Sequence, residues 1–166
     1  MVARAPRRPA RQSGFTIVET MVVVMIVAIL AAFAAPAMKD LIRTQRVRAA
    51  AYDLLADLTF ARSQAITKGH NVAFASAASS TNWASGYTLT DTTASPNVTL
   101  RTQSAVDASI AFTADQSTVT FDRSGRVSGT ANFTIAPTDS TAPTIEKRCV
   151  RVDPSGRARS VEGTCS

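Results

Sequence analysis

At 166 residues the chain has room for one modest globular domain and little more, because buried fraction falls quickly as proteins shrink, so two domains would be hard to fit. Its 45% hydrophobic content is concentrated in one segment and leaves a polar, Ser/Thr/Ala-rich remainder. The formal charge of +6 is equally uneven: Arg4, Arg7, Arg8 and Arg11 precede the apolar run, and without those four of the 18 basic residues 14 face 12 acidic ones, so the body of the protein is not strongly basic.

Residues 1–14 are rich in Arg and Pro, carry no acidic residue and cannot form a core, so they read as a leader. Residues 15–38 (FTIVETMVVVMIVAILAAFAAPAM) are apolar over about 24 positions, enough at about 1.5 Å per residue to cross the hydrocarbon core of a bilayer. The basic flank before them predicts a cytoplasmic N-terminus and everything after Met38 outside. From 39 to 68 the apolar positions take a helical rhythm, with Val47, Ala51, Leu54, Leu58, Ala61 and Ala65 at spacings of three and four, and Gly69 offers a C-terminal stop. Residues 15–68 are expected to form one helix on the order of 80 Å long, kinked at Pro36, whose ring cannot supply an amide to the ladder.

After Gly69 short β-type runs alternate with Gly, Ser, Asn, Asp and Pro. The candidates are 72–75, 87–90, 98–101, 110–113, 118–122, 132–136 and 147–152. Val119 with Phe121, Phe133 with Ile135, and Val150 with Val152 each share one strand face, as half-buried antiparallel sheets require. Residues 122–125 (DRSG) and 153–156 (DPSG) both fit β-turns. The fold class is therefore α+β, with a transmembrane half-helix over 15–38, an amphipathic half over 39–69 and a β-rich head over 70–166 packed as antiparallel sheets.

Cys149 and Cys165 suggest one bridge if the head is exported, which would stabilise it by roughly 3 kcal/mol; a pair of free thiols is the alternative. His70 is the single histidine, so no metal site and no cofactor is expected. With no paired carboxylates at a telling spacing, no phosphate-cradling Gly loop and no HExxH, no enzyme activity is expected either.

Glu19 is a carboxylate five residues into a segment that otherwise belongs in lipid, a placement that costs on the order of 3 kcal/mol at the bilayer centre unless a partner relieves it. Its surroundings, Gly14-Phe15-Thr16-Ile17-Val18-Glu19 behind a basic leader and ahead of a long apolar helix, resemble the type III signal of type IV pilins. The resemblance implies cleavage between Gly14 and Phe15 by a prepilin peptidase, methylation of the new amine, and pairing of Glu19 with the terminal amine of a neighbouring subunit. The competing reading is an ordinary signal peptide cut among residues 31–35, which releases a soluble domain and leaves Glu19 unexplained.

Residues 58–69 (LTFARSQAITKG), 83–86 (WASG), 119–125 (VTFDRSG) and the tail 149–159 resemble the FimT/GspH group of minor pilins and pseudopilins. Within them Arg62 reads as a solvated helix-face residue and Trp83 as a core or loop anchor. The group implies one of two roles: a GspH-type subunit at the tip of a type II secretion pseudopilus, or a FimT-type subunit of type IV pili, some of which are associated with DNA capture in natural transformation. Gly156-Arg157-Ala158-Arg159 resembles the Gly-Arg-x-Arg tail linked to DNA binding in FimT-like proteins. Extended chain there puts Arg157 and Arg159 on one side, about 6.6 Å apart, with Lys147, Arg148 and Arg151 on the preceding strand. No aromatic residue follows Phe133, so recognition is expected of phosphates rather than bases. The reading is a FimT-type minor pilin of the inner membrane, with a periplasmic head and with other pilin subunits, the peptidase and DNA as partners.

Overall fold

The structure, a computed structural model, describes residues 14–139 and 146–165, without the side chains of 34–37. Two compact units divide at Met38/Lys39. One helix, α1 (Ile17–Lys68), contributes its residues through Met38 to the first unit and the rest to the second. The leader residues 1–13 lie outside the described residues, and α1 runs as helix through Pro36, the position of the expected kink.

In the first unit Thr16 caps the helix: the Glu19 backbone N–H donates to Thr16 Oγ1 at 3.2 Å, which places Glu19 in the first turn, where the helix dipole favours an acid. The large apolar side chains from Phe15 to Phe33 are between 51% and 83% exposed, a surface without internal cover. Among the described residues no single helix is long and apolar enough to cross a membrane; Ile17–Phe33 and Met38–Lys68 pass that test only jointly.

In the second unit α1 buries the stripe read from the sequence, Val47, Ala51, Leu54, Leu58, Ala61 and Ala65, each at most 1% exposed. The helix stops where expected, with Gly69 at φ +67° and the His70 N–H bonded back to the Ala65 carbonyl at 3.2 Å, a Schellman cap. Eight strands follow: β1 (Val72–Ser76), β2 (Tyr87–Asp91), β3 (Val98–Gln103), β4 (Ile110–Ala114), β5 (Thr118–Phe121), β6 (Ala131–Pro137), β7 (Arg148–Val152) and β8 (Ala158–Glu162). They form two four-stranded sheets, ordered β3-β2-β1-β5 and β4-β6-β7-β8, and every strand pair is antiparallel. Seven strands match the runs expected from the sequence. The eighth was expected only as extended tail; its inward positions, Ala158 and Ser160, are too small to show a hydrophobic alternation.

One core joins the helix stripe to both sheets. Trp83 sits fully buried at its centre, with its ring 5.0 Å from Phe133 and 5.3 Å from Phe74 and its Nε1–H donating to the Gln116 carbonyl at 2.9 Å, which settles it as a core anchor. Asp57, 3% exposed on the core side of α1, accepts from the Tyr87 hydroxyl at 2.8 Å and pairs with Arg101. Burial, and then that bond to Asp57, push the Tyr87 hydroxyl pKa far up, so it stays a donor. Tyr87→Phe leaves a buried carboxylate short of one donor and is expected to cost about 1–2 kcal/mol, read as a lower urea midpoint at unchanged slope.

Candidate nucleic-acid interface

Alternation along β7 decides which tail charges share a surface. Val150 and Val152 point into the core, so Cys149 and Arg151 lie on the opposite face, Cys149 covered and Arg151 exposed, while Lys147 just before the strand is exposed as well. The register sets Arg151 directly opposite Arg159 and Cys149 opposite Val161, so Arg159 faces outward too, and Arg157, in the turn just before β8, is exposed. Lys147, Arg151, Arg157 and Arg159 are all exposed, and none makes an ion pair among the described residues. Opposed like charges on neighbouring strands are unfavourable, with Cβ atoms about 5 Å apart, and among the described residues no carboxylate lies within ion-pair distance of either arginine. Arg151 and Arg159 flank a cavity of about 210 Å³, closed on its other side by Val161, Thr164 and the disulfide.

Arg148 does not belong to this surface. It shares strand parity with Val150 and Val152, and its side chain, 13% exposed, pairs with Glu146 and with Glu162 at 3.4 Å. Glu146 in turn takes Arg48 of α1, whose Nε donates at 2.7 Å, and the hydrogen bond from Arg48 holds the Glu146 carboxyl below the usual carboxylate range. Arg148 is thus a strut between helix and sheet rather than a free cation. The parity of the two valines carried that signal in the sequence.

The tail is held at both ends. Cys149 and Cys165 form a disulfide with Cα atoms 5.1 Å apart, and the Gly163 N–H donates to the Lys147 carbonyl at 2.8 Å. At the β7–β8 turn Asp153 accepts from the Ser155 hydroxyl, the Ser155 N–H at 3.0 Å and the Arg157 N–H at 3.1 Å. The Ser155 hydroxyl first, then the Arg157 amide, hold its carboxyl below the ordinary range. Asp122 does the same for Ser124 and Arg126 in the turn after β5.

Gly156 has a steric role that the tail motif alone does not disclose. Its φ is +75°, and a Cβ there would lie 1.8 Å from the Gly125 carbonyl oxygen, so the two turns press backbone to backbone. Beneath them passes Arg62 of α1, close enough that a Cβ on Gly125 would lie 3.1 Å from its Cγ and one on Gly156 3.3 Å from its Nε. Arg62 is accordingly half-buried, with Nε shielded from solvent and without a hydrogen-bond partner among the described residues, and is not the solvated helix residue expected from the sequence. What covers it lies more than sixty residues along the chain. At the other end Gly14, Phe15 and Glu19 are all exposed in the first unit.

The family model described as type II transport protein GspH matches residues 50–156, and that of the prokaryotic N-terminal methylation motif matches residues 9–35. The first match ends at Gly156, so Arg157 and Arg159 lie just beyond it. Among solved structures, the type IV minor pilin FimU of Pseudomonas aeruginosa (strain PAO1) is similar in two crystal forms, with TM-scores of 0.59 and 0.57 at 20% identity. These cover 69% of this chain and 87% and 91% of FimU. The minor pseudopilin EpsH from the type 2 secretion system of Vibrio cholerae is similar with a TM-score of 0.57 at 14% identity, covering 70% of this chain and 96% of that one. Comparison with curated proteins finds no significant match. At these identities the structural likeness establishes the α+β pilin-type fold, a long N-terminal helix on antiparallel sheets.

Proposed function

Because the chain belongs to the GspH family, whose members are structural pilin and pseudopilin subunits rather than enzymes, and carries an N-terminal methylation motif, we propose that it is a FimT-type minor pilin that binds DNA through its C-terminal hairpin during uptake. The observation that carries the DNA reading is the exposed cationic row of the β7–β8 hairpin: Arg151 directly opposite Arg159, flanked in the chain by exposed Lys147 and Arg157. Local sheet rules disfavour that row, and a phosphate backbone would supply the missing negative charge. Phosphates carry no sequence information, so unrelated duplexes should bind alike.

Anchoring follows the same reading. A prepilin peptidase cuts between Gly14 and Phe15, and the exposed apolar surface of residues 15–33 lies in the inner membrane or against neighbouring pilin helices, with the head in the periplasm. Glu19 then meets the terminal amine of an adjacent subunit, a pairing that relieves the desolvation of both charges. The methylation-motif match, which spans the leader and the apolar run, favours this processing over an ordinary signal peptide.

The competing role is a subunit at the tip of a type II secretion pseudopilus, favoured by the description of the matched family and by the likeness to EpsH. A gel shift separates the two. The full chain in detergent is expected to retard unrelated duplexes equally, and Arg157→Ala with Arg159→Ala to weaken the shift at least tenfold. Absence of a wild-type shift favours the secretion role.

A further inference from the structure

We propose that the cavity flanked by Arg151 and Arg159 seats a single phosphate group shared by both guanidiniums, and that this phosphate belongs to a nucleic-acid backbone; the ligand class rests on the DNA-binding reading above. Arg151 lies outside the Gly-Arg-x-Arg tail.

The two arginines come from neighbouring strands, are direct partners in the register of β7 and β8, and line the same cavity of about 210 Å³. Its far side is built by the chain folding back after β8. The Gly163 N–H holds the Lys147 carbonyl at 2.8 Å, and the Cys149–Cys165 disulfide draws Thr164 and Cys165 up to the cavity. Val161 and the disulfide give that wall an apolar character, so water screens the two charges less there than on an open sheet face. Left alone, opposed guanidiniums repel, and neither makes an ion pair among the described residues. An oxyanion between them replaces that repulsion with charge-assisted hydrogen bonds from both forks.

Asn132 of β6 supplies an independent clue. It is the register partner of Arg151 and lines the same cavity. Its Nδ2 donates to Asp115 Oδ2 at 2.9 Å, which fixes the amide, while its Oδ1 is shielded from solvent and has no hydrogen-bond partner among the described residues. A buried acceptor without a donor is a cost that native folds rarely carry. The Arg151 guanidinium, rooted one strand away, has five N–H groups to offer. One of them turned onto Oδ1 would satisfy the amide and brace the fork, with the others free for the phosphate. Asn132 is in this sense a positioning residue for Arg151.

The test uses the full chain in detergent and compares wild type, Arg151→Gln, Arg159→Gln and the double variant in duplex anisotropy titrations. Each single change is expected to weaken binding roughly tenfold, and the two together also roughly tenfold, because a shared contact is lost only once. A double variant weakened roughly a hundredfold would put the arginines on separate phosphates and overturn the shared seat, with the DNA-binding reading intact. Inorganic phosphate, compared with chloride at matched ionic strength, is expected to raise the melting temperature of the wild type more than that of the double variant. Without ligand the double variant should melt no lower than wild type, since the opposed charges are gone. An equal response to phosphate in the two proteins overturns the seat. A wild type that responds to phosphate and binds no duplex overturns nucleic acid as the ligand and the DNA-binding reading with it.

Discussion

Gly156→Ala is expected to cost the head domain about 3 kcal/mol and to abolish tight duplex binding, although it removes no charge. Two penalties combine. An L-residue at φ +75° sits in left-handed space at about 1–2 kcal/mol. The new Cβ would also stand 1.8 Å from the Gly125 carbonyl oxygen, and because that obstacle is backbone, one of the two turns must move. Movement unseats Arg157 and exposes the contact with Arg62. Gly163→Ala separates the penalties, since Gly163 has φ +101° but nothing within 4 Å of its added Cβ. For a head of this size the expected drop in melting temperature is roughly 10 °C for Gly156→Ala and about half of that for Gly163→Ala. Equal losses would mean that the two turns do not press together.

The second large effect concerns assembly. Glu19→Gln is expected to insert normally and to fail to enter filaments, with at least a tenfold loss from sheared pili. Glutamine is the informative replacement because Glu19 also lies in the first turn of a helix capped by Thr16. A Gln there keeps the length and hydrogen-bonding capacity suited to that turn and removes only the charge, so a failure cannot be assigned to a frayed helix start. Insertion itself should improve, since a carboxylate is the costlier group in lipid. Wild-type levels of Glu19→Gln in sheared filaments would show that the carboxylate serves the local helix start and not a subunit contact.

Much of the head was legible because its elements follow strong periodicities. The helix stripe from Val47 to Ala65 repeats at three and four, and Phe133 with Ile135 alternate at two, so each announces one buried face. The disulfide was legible because Cys149 has no other cysteine to meet. Strand β8 was harder to see: its outward row is Arg159 and Val161, its inward row is Ala158 and Ser160, and neither resembles a core strand. Arg148 was misplaced for a different reason. Clustering along the chain groups it with Lys147 and Arg151, whereas the pleat turns it to the opposite face, onto Glu146 and Glu162. Arg62 was not legible at all, because whether an arginine at a helix end is solvated depends on two turns that arrive from distant parts of the sequence.

The salt dependence of duplex binding tests the proposed function most directly. Anisotropy titrations of the full chain in detergent, at several salt concentrations, give the slope of the logarithm of affinity against the logarithm of salt. Each phosphate contact contributes roughly one unit to that slope, so Arg157→Ala with Arg159→Ala should lower it by about two while weakening binding to every duplex alike. Arg43→Ala with Arg46→Ala should leave the slope unchanged, because those side chains are already engaged by Asp139 and Asp107, each at 3.0 Å. A wild-type protein that binds no duplex, or a tail double variant with the wild-type slope, would contradict the DNA-binding role.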